Sequence, residues 1–383
     1  MRILVTGGGS SGHISPALAV IAAANELVAQ GETPPIEWLY LGGKRGLEQR
    51  LVEAAGIPFS GVETGKLRRY LSRENLTDLA RIPVGVAQSL ARVKKFRPDV
   101  VFATGGYVAV PPVLAARLLR VPILIHEQTV QIGLANRIAA RCATRIGLAW
   151  ESALSELSEE QRKRAFVVGN PVRAEVFDGD AARGKTLAGF SDDLPTLYVT
   201  GGSQGARIIN RAVETALPRL LQLCNVIHQC GEQPHGEEQD FDRLTRIAAE
   251  LPEELRRRYF LTCFVRREIN DVFALADLLI SRAGAGTIAE VCALGKAAIY
   301  IPLVPTGGDE QTRNAAMCVR AGAAEVIKQS ELHGDVLVEK VQQLLSDPEQ
   351  LGRMGAAART LARPGAAQEL ARALVQLAGD KRA

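Results

Sequence analysis

The chain has 383 residues, of which 47% are apolar and 23% charged, and its formal net charge is +4. That length exceeds what one hydrophobic core usually serves, so two domains are expected, and the apolar content excludes a disordered chain. A charge so near balance gives no support for nucleic-acid binding.

In chain order, runs of β-branched residues at 3–6, 37–41, 100–104, 123–127, 145–148 and 166–168 predict strands in the first half. Runs at 196–200, 226–229, 259–262, 278–281, 298–301 and 324–326 do so in the second. Helical stretches lie between them, among them 16–28 and 206–217. Strands alternating with helices predict parallel βαβ units, hence an α/β fold of doubly wound sheets. Gly169-Asn170-Pro171 is a turn cluster that predicts a boundary between domains of residues 1–169 and 170–363. Residues 178–195 read as a polar entry loop, and an alanine-rich helix over about 364–383 is expected to return to the first domain.

Met1-Arg2 leads straight into a strand, so no signal peptide is expected. No apolar run is expected to span a membrane, because Arg117 and Arg120 interrupt one candidate and Asn25-Glu26 end another. The six cysteines (Cys142, Cys224, Cys230, Cys263, Cys292, Cys318) show neither a CxxC pair nor metal-ligand spacing. They read as reduced, mostly buried thiols of a cytosolic protein.

The chain carries one pattern twice. Leu4-Val5-Thr6 opens into GGGSSGH, and Tyr198-Val199-Thr200 opens into GGSQGAR. A strand feeding a glycine turn and a helix start binds phosphate, because glycine admits close approach and the first helical amides favour negative charge. Two such units predict two similar domains facing a ligand between them. His13 ends the first turn, where the positive helix end favours an uncharged ring able to take a proton; a capping or packing role is the alternative. A second glycine turn, Gly105-Gly106-Tyr107, follows the strand at 100–104, either as an anion site or as a turn that simply needs small residues. His126 and Glu127 end another strand, either as a buried bonded pair holding the loop or as catalytic groups, and Asn136 is a helix-face residue nearby.

In the second half, Ser203 lies inside GGSQGAR, where a hydroxyl and amides can cradle phosphate. The segment Ala285-Gly286-Thr287-Ile288-Ala289-Glu290 starts a helix on small residues. Glu290 can accept from two ribose hydroxyls, or complement the helix dipole from its first turns. Asp309, Glu310 and Gln311 begin a helix at a strand end, placed to read sugar hydroxyls.

Seven segments in order (GGGSSGHISPALA, ATGGYVAVP, HEQ with GLANR, GNPVR, GGSQGAR, SRAGAGTIAE and DEQTRNA) resemble the bacterial lipid I N-acetylglucosaminyltransferase family of peptidoglycan synthesis. These are GT-B glycosyltransferases with two Rossmann-like domains facing a cleft. The resemblance implies transfer of N-acetylglucosamine from UDP-GlcNAc to the 4-hydroxyl of the muramoyl sugar of lipid I, with inversion from α to β. It implies that Ser203 holds a phosphate, residues 285–289 the diphosphate, Glu290 the ribose and the Val265 backbone the uracil. Arg173 would close over the nucleotide and Gln311 read the sugar. Ser10, Ser11, Gly12 and Thr129 would face the donor, with His13 as base. Gly105, Gly106 and Tyr107 would receive the acceptor diphosphate, with His126, Glu127 and Asn136 on the same side.

Four positions depart from the family pattern. Thr129 stands where asparagine is usual, Glu310 where many members have glutamine, and Ser10-Ser11 where Thr-Gly or Thr-Ala is common; CFVRREIN is one residue longer than its counterpart.

No metal or other cofactor is expected, since helix-terminal amides neutralise the leaving diphosphate and no paired-aspartate signature is present. A lipid-linked acceptor calls for a membrane face. Lys66, Arg68, Arg69, Arg73, Arg81, Arg92, Lys94, Lys95 and Arg97, interleaved with Leu67, Tyr70, Leu71, Leu76, Leu79, Ile82 and Val86, suit an anionic bilayer; an ordinary solvated helix face is the alternative. The resemblance places the protein peripherally on the cytoplasmic face of the inner membrane, with other cell-wall synthesis proteins as partners. Competing readings are a transferase for diacylglycerol or a small aglycone, a non-catalytic nucleotide-sugar sensor, and a nicotinamide oxidoreductase. The last lacks a clean GxGxxG with an acidic residue at the second strand's end, where Leu41-Gly42-Gly43 stands.

Overall fold

The computed structural model describes residues 1–44, 48–65, 74–232, 239–265, 268–304 and 309–380. The chain divides into two compact units, one chiefly Met1–Arg173 with Arg363–Ala383, the other chiefly Ala174–Pro305 with Gln311–Ala362.

The first unit runs β1 (Arg2–Thr6), α1 (Ser11–Ala29), β2 (Glu37–Gly43), α2 (Glu48–Ala54), β3 (Phe59–Val62), α3 (Glu74–Phe96) and β4 (Val100–Ala103). It continues through α4 (Val110–Leu118), β5 (Ile123–Glu127), α5 (Leu134–Cys142), β6 (Arg145–Leu148), α6 (Glu159–Arg162) and β7 (Ala165–Val167). The second unit begins with α7 (Ala181–Ala188), β8 (Thr196–Thr200), α8 (Arg207–Leu223), β9 (Asn225–Gln229), α9 (Asp240–Ala249), α10 (Glu253–Arg256) and β10 (Tyr259–Thr262). There follow α11 (Ile269–Leu275), β11 (Leu278–Ser281), α12 (Ala285–Leu294), β12 (Ala297–Tyr300), α13 (Glu310–Arg320), β13 (Ala324–Val326), α14 (Gly334–Leu345) and α15 (Pro348–Leu361). The last helix, α16 (Ala366–Asp380), belongs to the first unit.

Each unit holds one parallel sheet with helices around it. Strand order is β3-β2-β1-β4-β5-β6-β7 in the first and β10-β9-β8-β11-β12-β13 in the second. Both orders reverse once, between β1 and β4 and between β8 and β11. Open α/β sheets bind ligands at the carboxyl ends of the strands flanking such a reversal. The four glycine segments of the sequence follow these four strands.

Burial explains which strands the sequence announces. Central strands β4, β5, β8, β9, β11 and β12 are buried along their whole length, so apolar residues dominate them, with the polar ones towards their ends. The edge strand β3, FSGV, is half-buried and has no such run, and the sequence reading missed it. In the first unit Ile14, Ala17, Ile21 and Ala24 of α1 share one core with Leu370, Ala371 and Leu374 of α16.

Two expectations are corrected. Residues 178–195 are not a loop throughout, because α7 lies within them. Asp180 caps it by accepting from the Arg183 amide at 3.0 Å, and Gly189, at φ +71°, closes it in the left-handed region. Gly184 lets α7 lie directly on α11, since a Cβ there would stand 2.5 Å from the Asp271 carbonyl oxygen, and the Arg183 guanidinium pairs with the Asp271 carboxylate at 2.7 Å. A helix held by contact through a glycine carries no apolar stripe for sequence to show. The second correction concerns the apolar run of α1, which Asn25 and Glu26 do not cut short. The stretch Gly12–Ala29 is long and apolar enough, by length and composition, to cross a membrane. Half of it is buried inside the first unit, where it serves as a core helix, with Asn25 and Glu26 on its exposed side.

Two histidines lie wholly inside the sheets. His126 on β5 donates from Nε2 to the Gly169 carbonyl at 2.8 Å, and burial pushes its imidazole down to about 4. His228 on β9 donates from Nε2 to Asn210 Oδ1 at 3.0 Å and accepts at Nδ1 from the Tyr259 hydroxyl at 2.9 Å. Burial holds it at about 3, against a smaller upward pull from Asp240. Both rings are neutral when folded and charge readily when unfolded.

Two outcomes are expected. Gly184→Val should cost about 1–3 kcal/mol through overpacking against α11, read as a lowered urea midpoint, and an unchanged midpoint would contradict the contact. Because both histidines have folded pKa values below the unfolded one, the unfolded chain binds more protons below about pH 6.5. Stability is therefore fully present above that pH and falls as acid is added, by about 2 kcal/mol for each unit's histidine between pH 7 and 5. Urea melts at the two pH values should show the loss, and His228→Gln should remove the second unit's share.

Candidate functional site

In the first unit, the turn after β1 and the turn after β4 meet main chain to main chain. Gly106, at φ +76°, sits so close to the Gly8 carbonyl that a Cβ would stand 1.9 Å from its oxygen, and the Gly8 amide donates to the Gly105 carbonyl at 3.2 Å. His13, in the first turn of α1, lies beside this junction. Its Nδ1 is 3.0 Å from the Thr104 carbonyl, and the Thr104 hydroxyl donates to the His13 carbonyl at 2.6 Å. A carbonyl only accepts, so Nδ1 carries the proton and Nε2 keeps its lone pair. The ring is half-exposed. Ser10, the N-cap of α1, is exposed and makes no side-chain capping bond.

The loop after β5 is tied by one carboxylate. Glu127, which is 4% exposed, accepts at Oε1 from the amides of Gln128 and Thr129 at 2.9 and 3.0 Å. At Oε2 it accepts from the Gly133 amide at 3.0 Å and Asn136 Nδ2 at 2.9 Å. The Thr129 hydroxyl lies between Glu127 Oε1 and the Gln131 carbonyl, so its single proton is used inside the loop. Of the two readings of His126 and Glu127, the bonded framework matches their surroundings, though each bonds to the chain around it and not to the other. Asn136, also buried, lies against Gly105, where a Cβ would come 2.8 Å from Nδ2. Gln128 Nε2 donates at 2.9 Å to the same Thr104 carbonyl that orients His13. His13, Gly105, Gly106 and Asn136 are thus brought together, with the Tyr107 ring over Gly9.

One residue that the sequence reading did not single out alters the first glycine turn. Glu48, fully buried at the start of α2, accepts from the Gly9 amide at 2.6 Å. Its other oxygen, Oε2, is buried without a hydrogen-bond partner. A carboxylate occupies the place where the sequence pattern suggested a phosphate. No local pattern around residue 48 announces it, because the contact spans 39 residues.

In the second unit the turn after β8 bends between Gly202, at φ +89°, and Gly205, at φ +73°, and the Gly205 amide donates to the Gly202 carbonyl at 3.0 Å. Gly205 lies against the Cys230 carbonyl, where a Cβ would come within 1.9 Å. Ser203 is half-exposed in this turn. Helix α8 starts at N-cap Ala206 and α12 at N-cap Gly284, and neither has a side-chain cap. No atom lies within 4 Å of where a Cβ would stand on Gly202 or Gly286, so there is room in front of both. Glu290 lies half-exposed in α12, after Ala285, Gly286, Thr287, the buried Ile288 and Ala289. Gln311 accepts at Oε1 from the Leu303 amide at 2.9 Å, which ties α13 to the loop after β12. Arg173 is half-exposed at the end of the first unit.

Val265 is 7% exposed, and its amide donates to Gln229 Oε1 at 3.0 Å. A backbone contact to a base at this residue therefore falls to its carbonyl. Beneath the turn, Asn210 Nδ2 donates to the Cys230 carbonyl at 2.9 Å and to Asp240 Oδ2 at 2.7 Å. Gln229 and Asn210 were not singled out from the sequence. A polar residue ending an apolar parallel strand is the signal that could have found Gln229.

All six cysteines are free thiols. Among the described residues no group of three or more His, Cys, Asp and Glu side chains is placed to hold a metal ion. In the basic stretch, Arg81, Arg92, Lys94, Lys95 and Arg97 are exposed, whereas Lys66, Leu67, Arg68, Arg69, Tyr70, Leu71 and Arg73 lie outside the described residues.

Comparison with known proteins agrees with this fold. The glycosyltransferase family 28 N-terminal domain matches residues 3–148, and its C-terminal domain matches residues 196–370. A UDP-N-acetylglucosamine–N-acetylmuramyl-(pentapeptide) pyrophosphoryl-undecaprenol N-acetylglucosamine transferase of Lachnospira eligens is 37% identical over 350 residues, 91% of this chain and 92% of that one. The protein of the same name from Lachnoclostridium phytofermentans is 36% identical over 90% of this chain and 91% of its own. The crystal structure of Acinetobacter baumannii MurG superposes with a TM-score of 0.72 at 28% identity, covering 98% of this chain and 99% of that one. A UDP-GlcNAc 2-epimerase from Neisseria meningitidis shares the fold, with a TM-score of 0.67 at 14% identity, over 98% of this chain and all of that one. Likeness at this level along nine-tenths of the chain, on two Rossmann-like α/β domains with glycine turns at both strand-order reversals, places the protein in the UDP-N-acetylglucosamine–N-acetylmuramyl-(pentapeptide) pyrophosphoryl-undecaprenol N-acetylglucosamine transferase family.

Proposed function

We propose that this protein is an inverting glycosyltransferase that moves N-acetylglucosamine from UDP-GlcNAc to the 4-hydroxyl of the muramoyl sugar of lipid I, giving lipid II for peptidoglycan synthesis. The observation that carries this reading is the activity for which relatives 36–37% identical over nine-tenths of the chain are named.

The residues supply the parts the chemistry needs. The acceptor hydroxyl oxygen bonds to C1 of the donor sugar from the face opposite the diphosphate, the C1–O bond to UDP breaks, and the hydroxyl proton goes to a base. His13 suits that role, since the Thr104 carbonyl holds the Nδ1 proton and leaves Nε2 to accept. UDP departs with added negative charge. The helix starts at Ala206 and Gly284, with open space at Gly202 and Gly286, can stabilise it, with Ser203 at a phosphate and Glu290 at the ribose. In this reading Gly105, Gly106 and Tyr107 take the acceptor's diphosphate, while Glu127, Asn136 and Thr129 hold the loop that faces it.

We place the protein peripherally on the cytoplasmic membrane surface. The exposed cations at the end of α3, and exposed Leu118 and Leu119 between Arg117 and Arg120, support that reading.

The direct test is transfer of radiolabelled N-acetylglucosamine from UDP-GlcNAc to a short-chain lipid I analogue with EDTA present; product is expected, and its absence with tight UDP-GlcNAc binding would redirect the search to other acceptors. His13→Ala should lower turnover by about 10²–10⁴-fold while UDP affinity is held, and an equal loss of both would refute the base assignment. Glu290→Ala should weaken UDP-GlcNAc about tenfold or more by calorimetry, through loss of charge-assisted bonds to the ribose. Reversing Lys94, Lys95 and Arg120 to glutamate should weaken binding to anionic vesicles by about a hundredfold, at about 1 kcal/mol per cation. Unchanged vesicle binding would put the membrane face elsewhere.

A further inference from the structure

Gln229 ends β9 with its side chain 4% exposed, and the carboxamide makes four hydrogen bonds. Nε2 donates to Thr200 Oγ1 at 3.0 Å and to the Gly202 carbonyl at 3.3 Å. Oε1 accepts from the Val265 amide at 3.0 Å and from the Tyr198 hydroxyl at 3.4 Å. A primary amide has two donor hydrogens and two acceptor lone pairs, so this one is saturated. Its orientation follows from its partners, since the Gly202 carbonyl can only accept and the Val265 amide can only donate.

The four bonds join β8 and two different loops. Tyr198 and Thr200 lie on β8, Gly202 belongs to the glycine turn that follows it, and Val265 belongs to the turn after β10. The strands β10, β9 and β8 are neighbours, so Gln229 stands on the middle one and reaches to both sides. Nothing in the chemistry of a buried strand requires a carboxamide here, and an apolar side chain would fill the space without four precisely placed partners.

We propose that Gln229 is a positioning residue that holds the base-facing turn through the Val265 amide and thereby sets the preference for a uracil nucleotide, while its donors hold the diphosphate-facing turn. The proposal rests on the donor-site reading given above. With the Val265 amide committed to Gln229, the carbonyl of that residue is the group that meets the base. A carbonyl accepts the N3–H of uracil and repels the bare N3 of cytosine. A main-chain carbonyl has no rotamers, so its aim depends on what fixes the adjoining peptide, and Gln229 is bonded to that peptide's neighbour. A site built to pair a particular polar edge rejects the analogue lacking it far better than a merely snug one does.

The experiment is calorimetric titration of the full chain with UDP and with CDP, on the unaltered protein, Gln229→Met and Gln229→Glu. Methionine fills similar volume without the four bonds, whereas glutamate keeps an acceptor for the Val265 amide and loses the donor to Gly202. The unaltered protein should prefer UDP by about tenfold or more, and Gln229→Met should reduce that ratio to below about threefold. Gln229→Glu should weaken both nucleotides but keep most of the ratio. A structural role alone would weaken both ligands equally, so an unchanged ratio in Gln229→Met overturns the proposal, as does a ratio lost equally in both variants. If Gln229→Met fails to fold, as judged by circular dichroism, collapse of the ratio in Gln229→Glu overturns it. Failure of the unaltered protein to bind either nucleotide would instead refute the donor-site reading on which the proposal stands.

Discussion

The arrangement depends on main chain touching main chain at the carboxyl ends of parallel strands. Gly106 lies on the Gly8 carbonyl in the first unit, and Gly205 lies on the Cys230 carbonyl in the second, each with space for a hydrogen and nothing larger. These contacts bring two successive turns close enough for their polar groups to act on one molecule. In the first unit the contact spans the place where the strand order reverses, between β1 and β4; in the second it lies beside the reversal, between the turns after β8 and β9. Any side chain at either glycine would separate the turns and dismantle the surface they share.

Around these contacts, buried polar side chains do the holding. Glu127 uses both carboxylate oxygens to fix the loop after β5, and Asn210 bridges the Cys230 carbonyl to Asp240 beneath the second turn. The Thr104 carbonyl receives both His13 Nδ1 and Gln128 Nε2, so the orientation of the ring and the loop after β5 are set at one atom. Such fully partnered groups are rigid because each lost bond would strand a buried polar atom. The surface that is left for ligands is mostly backbone, and these side chains decide where that backbone sits.

Sequence and structure agree where burial is simple. Central strands such as β8 and β11 have apolar centres because both faces are covered, and their ends match the sequence reading. The two-sheet α/β fold and the family both follow from motifs that are each confined to a few neighbouring residues. What sequence could not show is contact over distance. Glu48 reaches Gly9 across 39 residues, and Gln229 reaches Val265 across 36. Helix α7 was missed for a related reason, since its packing runs through a glycine and an ion pair instead of an apolar stripe.

Glu48 has one more implication. The two halves of the chain present nearly the same turn, and a turn of that kind is open to any phosphate-bearing solute. In the first half the protein fills the turn with a carboxyl group of its own, covalently attached and buried. One amide of that copy is already taken from within the chain, so a scaffold used twice offers two different surfaces.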